Sequence, residues 1–340
     1  MTRIRFWAVP ALLVLLIGGL TVPAEEKDSG YHVVKKIELG GDGGWDYLTM
    51  DSAAGRLYVA RANRVQIVDV EQGKLLSEIE KTPGVHGVAL APKHDKGFVS
   101  NGGDSTVTVF DLKTLKETAR VKVGNRPDAI IYDPATDRVF TFNAGSRDAT
   151  AIDAASNAVA GTVKLGDKPE SAVADEKGMI YVNLENKSEI AAFDAKALEV
   201  KNTWPLGEGK RAVGLAMDRA KRRLFSTCGN EKMVVLNADD GKVVATLPIG
   251  RGTDAAAFDP GTGLAFSSNG EGTLTVVEEK DGQYRVVESV KTQPSARTMA
   301  LDPKTHRIYL AAATMKKAEA GQKGRPGMEP NSFVVLVVGK

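Results

Sequence analysis

One short tract of alternating apolar and polar residues returns along this chain at nearly constant spacing. RPDAIIYDPATDRVF from Arg126, KPESAVADEKGMIY from Lys168, GTDAAAFDPGTGLAF from Gly252 and SARTMALDPKTHRIY from Ser295 each read as strand, tight turn and strand. The first strand of each copy ends at Asp51, Ala91, Asp133, Asp175, Asp218, Asp259 and Asp302, at intervals of 40, 42, 42, 43, 41 and 43 residues. A period near 42 means seven like units from about Gly44 to the C-terminus, and a continuous array leaves no room for a linker between separate domains.

The unit beginning at Pro127 shows the local chemistry. DAIIYD, RVFTFN, ATAIDA and VAGTVKLG are short runs rich in Val, Ile, Thr and aromatic residues, bounded by Gly, Asn, Asp or Pro, and so predict four antiparallel strands. Asp133-Pro134, Asp259-Pro260 and Asp302-Pro303 suit the turn between the first two strands. Asp accepts backbone hydrogen bonds there and Pro presets the next φ, so these are turn formers, not catalysts. The fourth strand ends in a recurring apolar–any–apolar–Gly signature: Val121 to Gly124, Val163 to Gly166, Trp204 to Gly207 and Leu247 to Gly250. Pro205 and Pro248 cannot donate to a ladder, which puts that strand on an outer edge.

Four-stranded sheets bury their faces when arranged radially, with short protected edges. The last unit supplies RTMALD, RIYLAAA and SFVVLVV but stops at Lys340 without a fourth strand. The missing piece is at the other end, where Ile37-Glu38-Leu39-Gly40 repeats the fourth-strand signature. The expected fold is an all-β seven-bladed β-propeller with four antiparallel strands per blade, the last blade closed by Val33 to Leu39 beside Phe333 to Val338. A linear solenoid would give no reason for this permuted half-unit.

RLYVAR at 56–61, GMIYVN at 178–183 and RIYLAA at 307–312, each followed by a polar loop and an apolar third strand, resemble the YVTN-type β-propeller repeat of the YncE-like family. GMIYVN comes nearest to the motif; Trp45-Asp46 is not a WD signature, because it precedes an inner strand. The resemblance covers nearly the whole chain after its first residues. It implies an exported binding or cell-surface module, with lactone hydrolases and redox-enzyme subunits among related propellers. Fold alone does not choose among these.

The N-terminus reads separately. MTRIR, the apolar FWAVPALLVLLIGGL and TVPA have the order of a secretory signal peptide over residues 1–24, cleaved after Ala24, leaving a single domain over 31–340. An uncleaved anchor is the rival, although the apolar run from Phe6 to Val22 spans 17 residues and contains Pro10, where a spanning helix needs roughly 20. The expected location is secreted or periplasmic, with no membrane span after cleavage, and the chain is expected to act as a monomer. Without Arg3 and Arg5 the 45 basic residues fall to 43, equal to the 43 acidic ones. That balance gives no basic patch for nucleic acid. The densest basic run, at 210–223, reads as a solvated face. Cys228 is alone, cannot form a disulfide within the chain, and is expected to be a half-buried thiol beside a loop.

In a propeller, the loops joining fourth to first and second to third strands share the face around the central channel. The residue five before each first-strand end should lie at that mouth: Asp46, His86, Asp128, Glu170, Val213, Asp254 and Arg297. The second-to-third loops add Asn63, Asn101, Asp104, Asn143, Arg147, Glu185, Asn186, Asn230 and Asn269. Asp46, His86, Asp128, Glu170, Asp254 and Arg297 are therefore the candidate ligand-binding set, for a small ligand or a protein partner. Crowded carboxylates raise one another's pKa and can do acid–base work, which would make His86, Asp128 and Asp254 the catalytic residues of a lactonase-type rival. A polar lining is also what a water-filled mouth needs whatever it binds. His32 is expected to precede the closing strand, and His94 and His306 to lie in turns on the opposite face. No HExxH, Cys pair or CxxCH is present, so no metal or cofactor is predicted, and NGGDST at 101–106 reads as a hairpin loop, not a phosphate cradle. In the last blade the second-to-third loop swells to residues 314–332, long enough to be a lid, a partner-docking arm or disorder.

Overall fold

The computed structural model describes Met1 and residues 28–317 and 327–340. The signal-peptide reading and the middle of the 314–332 insertion lie outside the described residues. Seven four-stranded antiparallel sheets follow one another along the chain. Numbered in chain order, blade 1 begins with the inner strand Trp45–Asp51, blade 2 with Val85–Ala91, blade 3 with Pro127–Asp133, blade 4 with Pro169–Ala174, blade 5 with Ala212–Asp218, blade 6 with Thr253–Asp259 and blade 7 with Thr298–Asp302. Each inner strand touches the next around the ring, and Trp45–Asp51 touches Thr298–Asp302, so the circle is closed.

Closure uses the borrowed strand. His32–Glu38 forms the outer edge of blade 7, pairing Val33 with Val338 and Ile37 with Val335, while Leu39 N donates to Phe333 O at 3.2 Å. His32 thus opens this strand instead of preceding it. Ile37 joins Leu57, Val59, Val68, Tyr309 and Val335 in a cluster that packs blade 7 onto blade 1. Burying a side chain of that size stabilises the joint by about 1.5–3 kcal/mol.

The middle strands are buried and the outer ones face water, which explains the two residue patterns. Leu57, Tyr58, Val59 and Ala60 of blade 1 are fully buried, whereas Leu75 and Leu76 of its outer strand are 44% and 47% exposed. The turn aspartates do what their spacing predicts. Asp133 accepts Thr136 N at 3.1 Å and Asp259 accepts Gly261 N at 2.9 Å. In blade 4 the inner strand stops at Ala174, one residue short of the expected Asp175. There the carboxylate accepts the amides of Lys177 and Met179, and Glu176 takes a left-handed φ of 60°, so the turn tightens and absorbs the last ladder position.

Two further expectations need correction. Cys228 is fully buried, not half-buried, because it ends a middle strand, and burial pushes its thiol up to about 11. The basic run at 210–223 is not simply a solvated face. Ala212–Asp218 is a buried inner strand, and Lys221 and Arg222 form ion pairs with Glu279, Asp175 and Asp239.

Candidate functional site

The mouth residues project as they do because the ladder breaks beneath them. In blades 1 to 6 the pairing of inner strand with its neighbour shifts at the strand's start: between Trp45 and Leu48, Val85 and Val88, Pro127 and Ile130, Pro169 and Ala172, Ala212 and Leu215, and Thr253 and Ala255. Asp46, His86, Asp128, Glu170, Val213 and Asp254 all fall inside these irregularities. An interrupted ladder bends the strand and re-aims the side chains it carries. Blade 7 has no such shift, and Arg297 stands just before its inner strand.

Two arcs result. On the first, His86 Nδ1 lies 2.6 Å from Asp46 Oδ2 and 3.5 Å from Asp128 Oδ1, bridging both neighbouring blades. Glu170 follows, held by Lys168 Nζ at 3.2 Å, and the same ammonium pairs with Glu185. On the second arc Arg297 pairs with Asp254 and donates from Nη2 to Trp45 O at 3.1 Å. Val213 is buried and apolar, and separates the arcs between Glu170 and Asp254. The structure therefore brings together Asp46, His86 and Asp128, and separately Asp254 and Arg297. It does not bring Asp254 to His86 as one group with Asp128.

Burial pulls the His86 imidazolium down, but the Asp46 hydrogen bond and the Asp128 charge more than offset it and leave its pKa at about 8. Burial raises the Asp128 carboxyl, with His86 opposing and Asp46 adding to the rise. Burial, then the Asp128 charge, likewise raises Glu170 against the pull of Lys168. At neutral pH His86 is thus mostly protonated, a proton donor and not a free base. Asp46, His86 and Asp128 offer three donor atoms within 4.8 Å of one another, a set that could hold a metal ion; its two carboxylates suit a hard divalent cation.

Some functional-site neighbours carried no signal in the sequence. Gly102 makes room for His86, since a Cβ there would lie 2.8 Å from the imidazole ring. Tyr47 crosses the channel from blade 1 to blade 4, its hydroxyl 3.3 Å from Ser171 Oγ. Burial, and then Asp128, Glu170 and Asp46, hold its phenol well above the usual range. Below it the channel is lined largely by apolar side chains, including Leu48, Val88, Ile130, Leu215 and Met299.

Three of the loop asparagines serve their own blades. Asn101 donates to Thr106 and Thr108, Asn143 to Asp148 and Thr150, and Asn269 to Thr273 and Thr275, and all three are fully buried. Each ends a second strand and ties it to the third. Beside the second arc a cavity of about 670 Å³ opens between Trp45, Pro294, Arg297, Met315 and Met328. Both methionines belong to the 314–332 insertion, whose two limbs are joined at its base by Lys316 N donating to Gly327 O and Glu329 N donating to Thr314 O, each at 2.8 Å.

No family model matches the chain, and no curated protein matches it. Among solved structures it is similar to a chain of hydrazine synthase from Kuenenia stuttgartiensis, with a TM-score of 0.71 at 16% identity over 79% of this chain and 92% of that one. It is also similar to a chain of a mitotic checkpoint complex, with a TM-score of 0.74 at 13% identity over 99% of this chain and 98% of that one. At these identities the likeness is one of fold, and the chain is a seven-bladed β-propeller, an architecture compatible with binding or scaffold roles.

Proposed function

We propose that this propeller is an exported, non-catalytic binding module of the YncE-like kind that takes a small ligand or a protein partner on its channel-mouth face. The observation that carries the reading is the asymmetry of the ring. Inward-aimed charged groups and a cavity of about 670 Å³ sit side by side on one face, and Met315 and Met328 at the foot of the 314–332 insertion line that cavity. Concave sites of this volume with a few convergent polar groups are the usual form of a ligand pocket. The YVTN-like repeats support the family reading, and the leader-like first 24 residues support export.

The lactonase-type alternative has His86, Asp128 and Asp254 as its machinery. A histidine with a pKa of about 8 that is already bonded to Asp46 is poorly suited to take a proton from water at neutral pH. Asp254 is in addition committed to Arg297. The hydrazine synthase likeness speaks to fold alone and gives the redox-subunit reading no site residue.

Two measurements test the proposal. On a broad lactone panel the purified protein should show no turnover; turnover abolished by the combined His86→Ala, Asp128→Ala and Asp254→Ala changes would overturn the non-catalytic reading. Native mass spectrometry of protein isolated from its own cells should find a bound small molecule or protein, lost when His86 and Arg297 are replaced by alanine. A bare mass for the unaltered protein would count against a binding role.

A further inference from the structure

We infer that the cavity between Trp45 and the two methionines of the insertion is a site for a flat, uncharged aromatic or heteroaromatic ring system. The inference rests on the binding reading above and narrows it to one ligand class.

The walls set the shape. Trp45, Met315, Met328 and Pro294 present an indole, two thioethers and a pyrrolidine ring, Gly43, Gly44, Gly252, Gly270 and Gly327 add backbone, and the hydroxyl of Ser295, which also lines the cavity, already donates to Ala313 O. Glycine-lined walls are flat and allow close approach of a planar molecule. Indole faces favour stacked or edge-on rings, and thioether sulfur favours contact with aromatic edges. The methionines are not loose arms: Met315 and Met328 form a backbone bridge across the foot of the insertion and pack against the cluster joining blades 7 and 1.

The electrostatics set the charge. Among the described residues Arg297 is the charged one that lines the cavity, and its guanidinium is met by Asp254 and lies 5.7 Å from the Trp45 ring. An anionic ligand would have to compete with Asp254 for the guanidinium. A cationic ligand would meet the guanidinium directly. A neutral ring system displaces water from apolar wall without disturbing the Arg297–Asp254 pair, and burying its faces supplies the affinity.

The fold provides an unusually clean test. Gly44 lines the cavity, its φ is outside the left-handed region, and a Cβ placed on it meets nothing within 4 Å. Gly44→Phe should therefore fill the cavity without straining the chain. The probe is N-phenyl-1-naphthylamine, a neutral fluorophore that brightens in apolar surroundings, titrated into the full-length protein. Saturable binding at one site is expected, weakened about tenfold or more by Gly44→Phe because the apolar contact area is lost. Met328→Ala, which removes one wall, should weaken it about threefold or more, and serves as the second variant should Gly44→Phe fold poorly. Leu76→Phe, an aromatic added on the exposed outer strand of blade 1, should leave binding unchanged. The anionic analogue 1-anilinonaphthalene-8-sulfonate should bind more weakly than the neutral probe. No saturable binding, equal affinity in Gly44→Phe and Met328→Ala, or preference for the anion would overturn the inference. Should it fail while native mass spectrometry still finds a ligand sensitive to His86 and Arg297, the binding reading stands and the ligand class is wrong; should both fail, so does the binding reading.

Discussion

On the face opposite the mouth, His306 Nδ1 lies 2.8 Å from Asp259 Oδ2 and His94 Nε2 lies 2.8 Å from Asp137 Oδ1. At the mouth, His86 Nδ1 lies 2.6 Å from Asp46 and 3.5 Å from Asp128. The side-chain types are the same and their circumstances differ. Asp259 is fully buried and also accepts Gly261 N and Thr262 Oγ1, so its histidine pins one blade's turn to the next blade. Lys93 and Tyr132 donate to Asp137, and His94 adds to them, which holds that carboxyl well below its usual range. Far-face carboxylates thus have donors in excess. Mouth carboxylates outnumber theirs, and burial raises Asp128 and Glu170 instead. The difference separates groups that hold the fold from groups the fold tolerates, and crowding of the second kind gathers at functional sites.

Of the two faces, the far one should suffer most from loss of a carboxylate, because Asp259 is fully buried. Asp259→Ala strands a backbone amide and a hydroxyl inside the turn and frees His306, so it should cost about 3 kcal/mol in urea unfolding. A loss below about 1 kcal/mol would mean that these pairs are not structural pins.

At the mouth, pH is the sensitive variable. The folded pKa of His86, about 8, lies above its ordinary 6.5, so its contribution to stability is complete below about pH 6.5 and is lost as the pH rises through 8. The raised carboxyl of Glu170 acts with the same sign, since its neutral form is the one the fold prefers. The His86 share alone should lower the unfolding free energy by on the order of 1–2 kcal/mol from pH 6.5 to above 8, and Glu170 adds to that fall. In His86→Ala the imidazole's share of that slope should vanish and the Glu170 share remain. An unchanged slope would show that His86 does not carry the extra proton.

The fold was legible because its determinants recur. The aspartate turns, the apolar–any–apolar–Gly ends and the orphaned Ile37-Glu38-Leu39-Gly40 each state a rule more than once, and averaging over copies identifies the blade and its permuted closure. The mouth positions followed from the same register, which is why Asp46, His86 and Asp128 could be named together. Their surroundings did not follow, because they depend on contacts between blades that occur once. Nothing in the sequence around Tyr47 states that its hydroxyl meets Ser171, 124 residues away. Nor does NGGDST reveal, within blade 2 itself, that Gly102 is small for the sake of His86 on the inner strand. Asn101, Asn143 and Asn269 misled for the opposite reason: a polar residue beside a loop suggests exposure, yet each is the hydrogen-bonded end of a middle strand. The aromatic cavity was hidden because Trp45 and Met328 come from opposite ends of the chain and meet only when the ring is shut.

The mouth carboxylates are kept at some expense to the fold, and substitution at Asp128 reads that cost. At about pH 9 His86 has largely lost its proton while the buried Asp128 is ionised, so Asp128→Asn removes a charge that its site disfavours. Chemical unfolding at that pH should show the variant equal to the unaltered protein or more stable by up to about 1 kcal/mol. A loss of more than about 1 kcal/mol would instead make Asp128 a structural pin like Asp259, and the distinction between the two faces would fall.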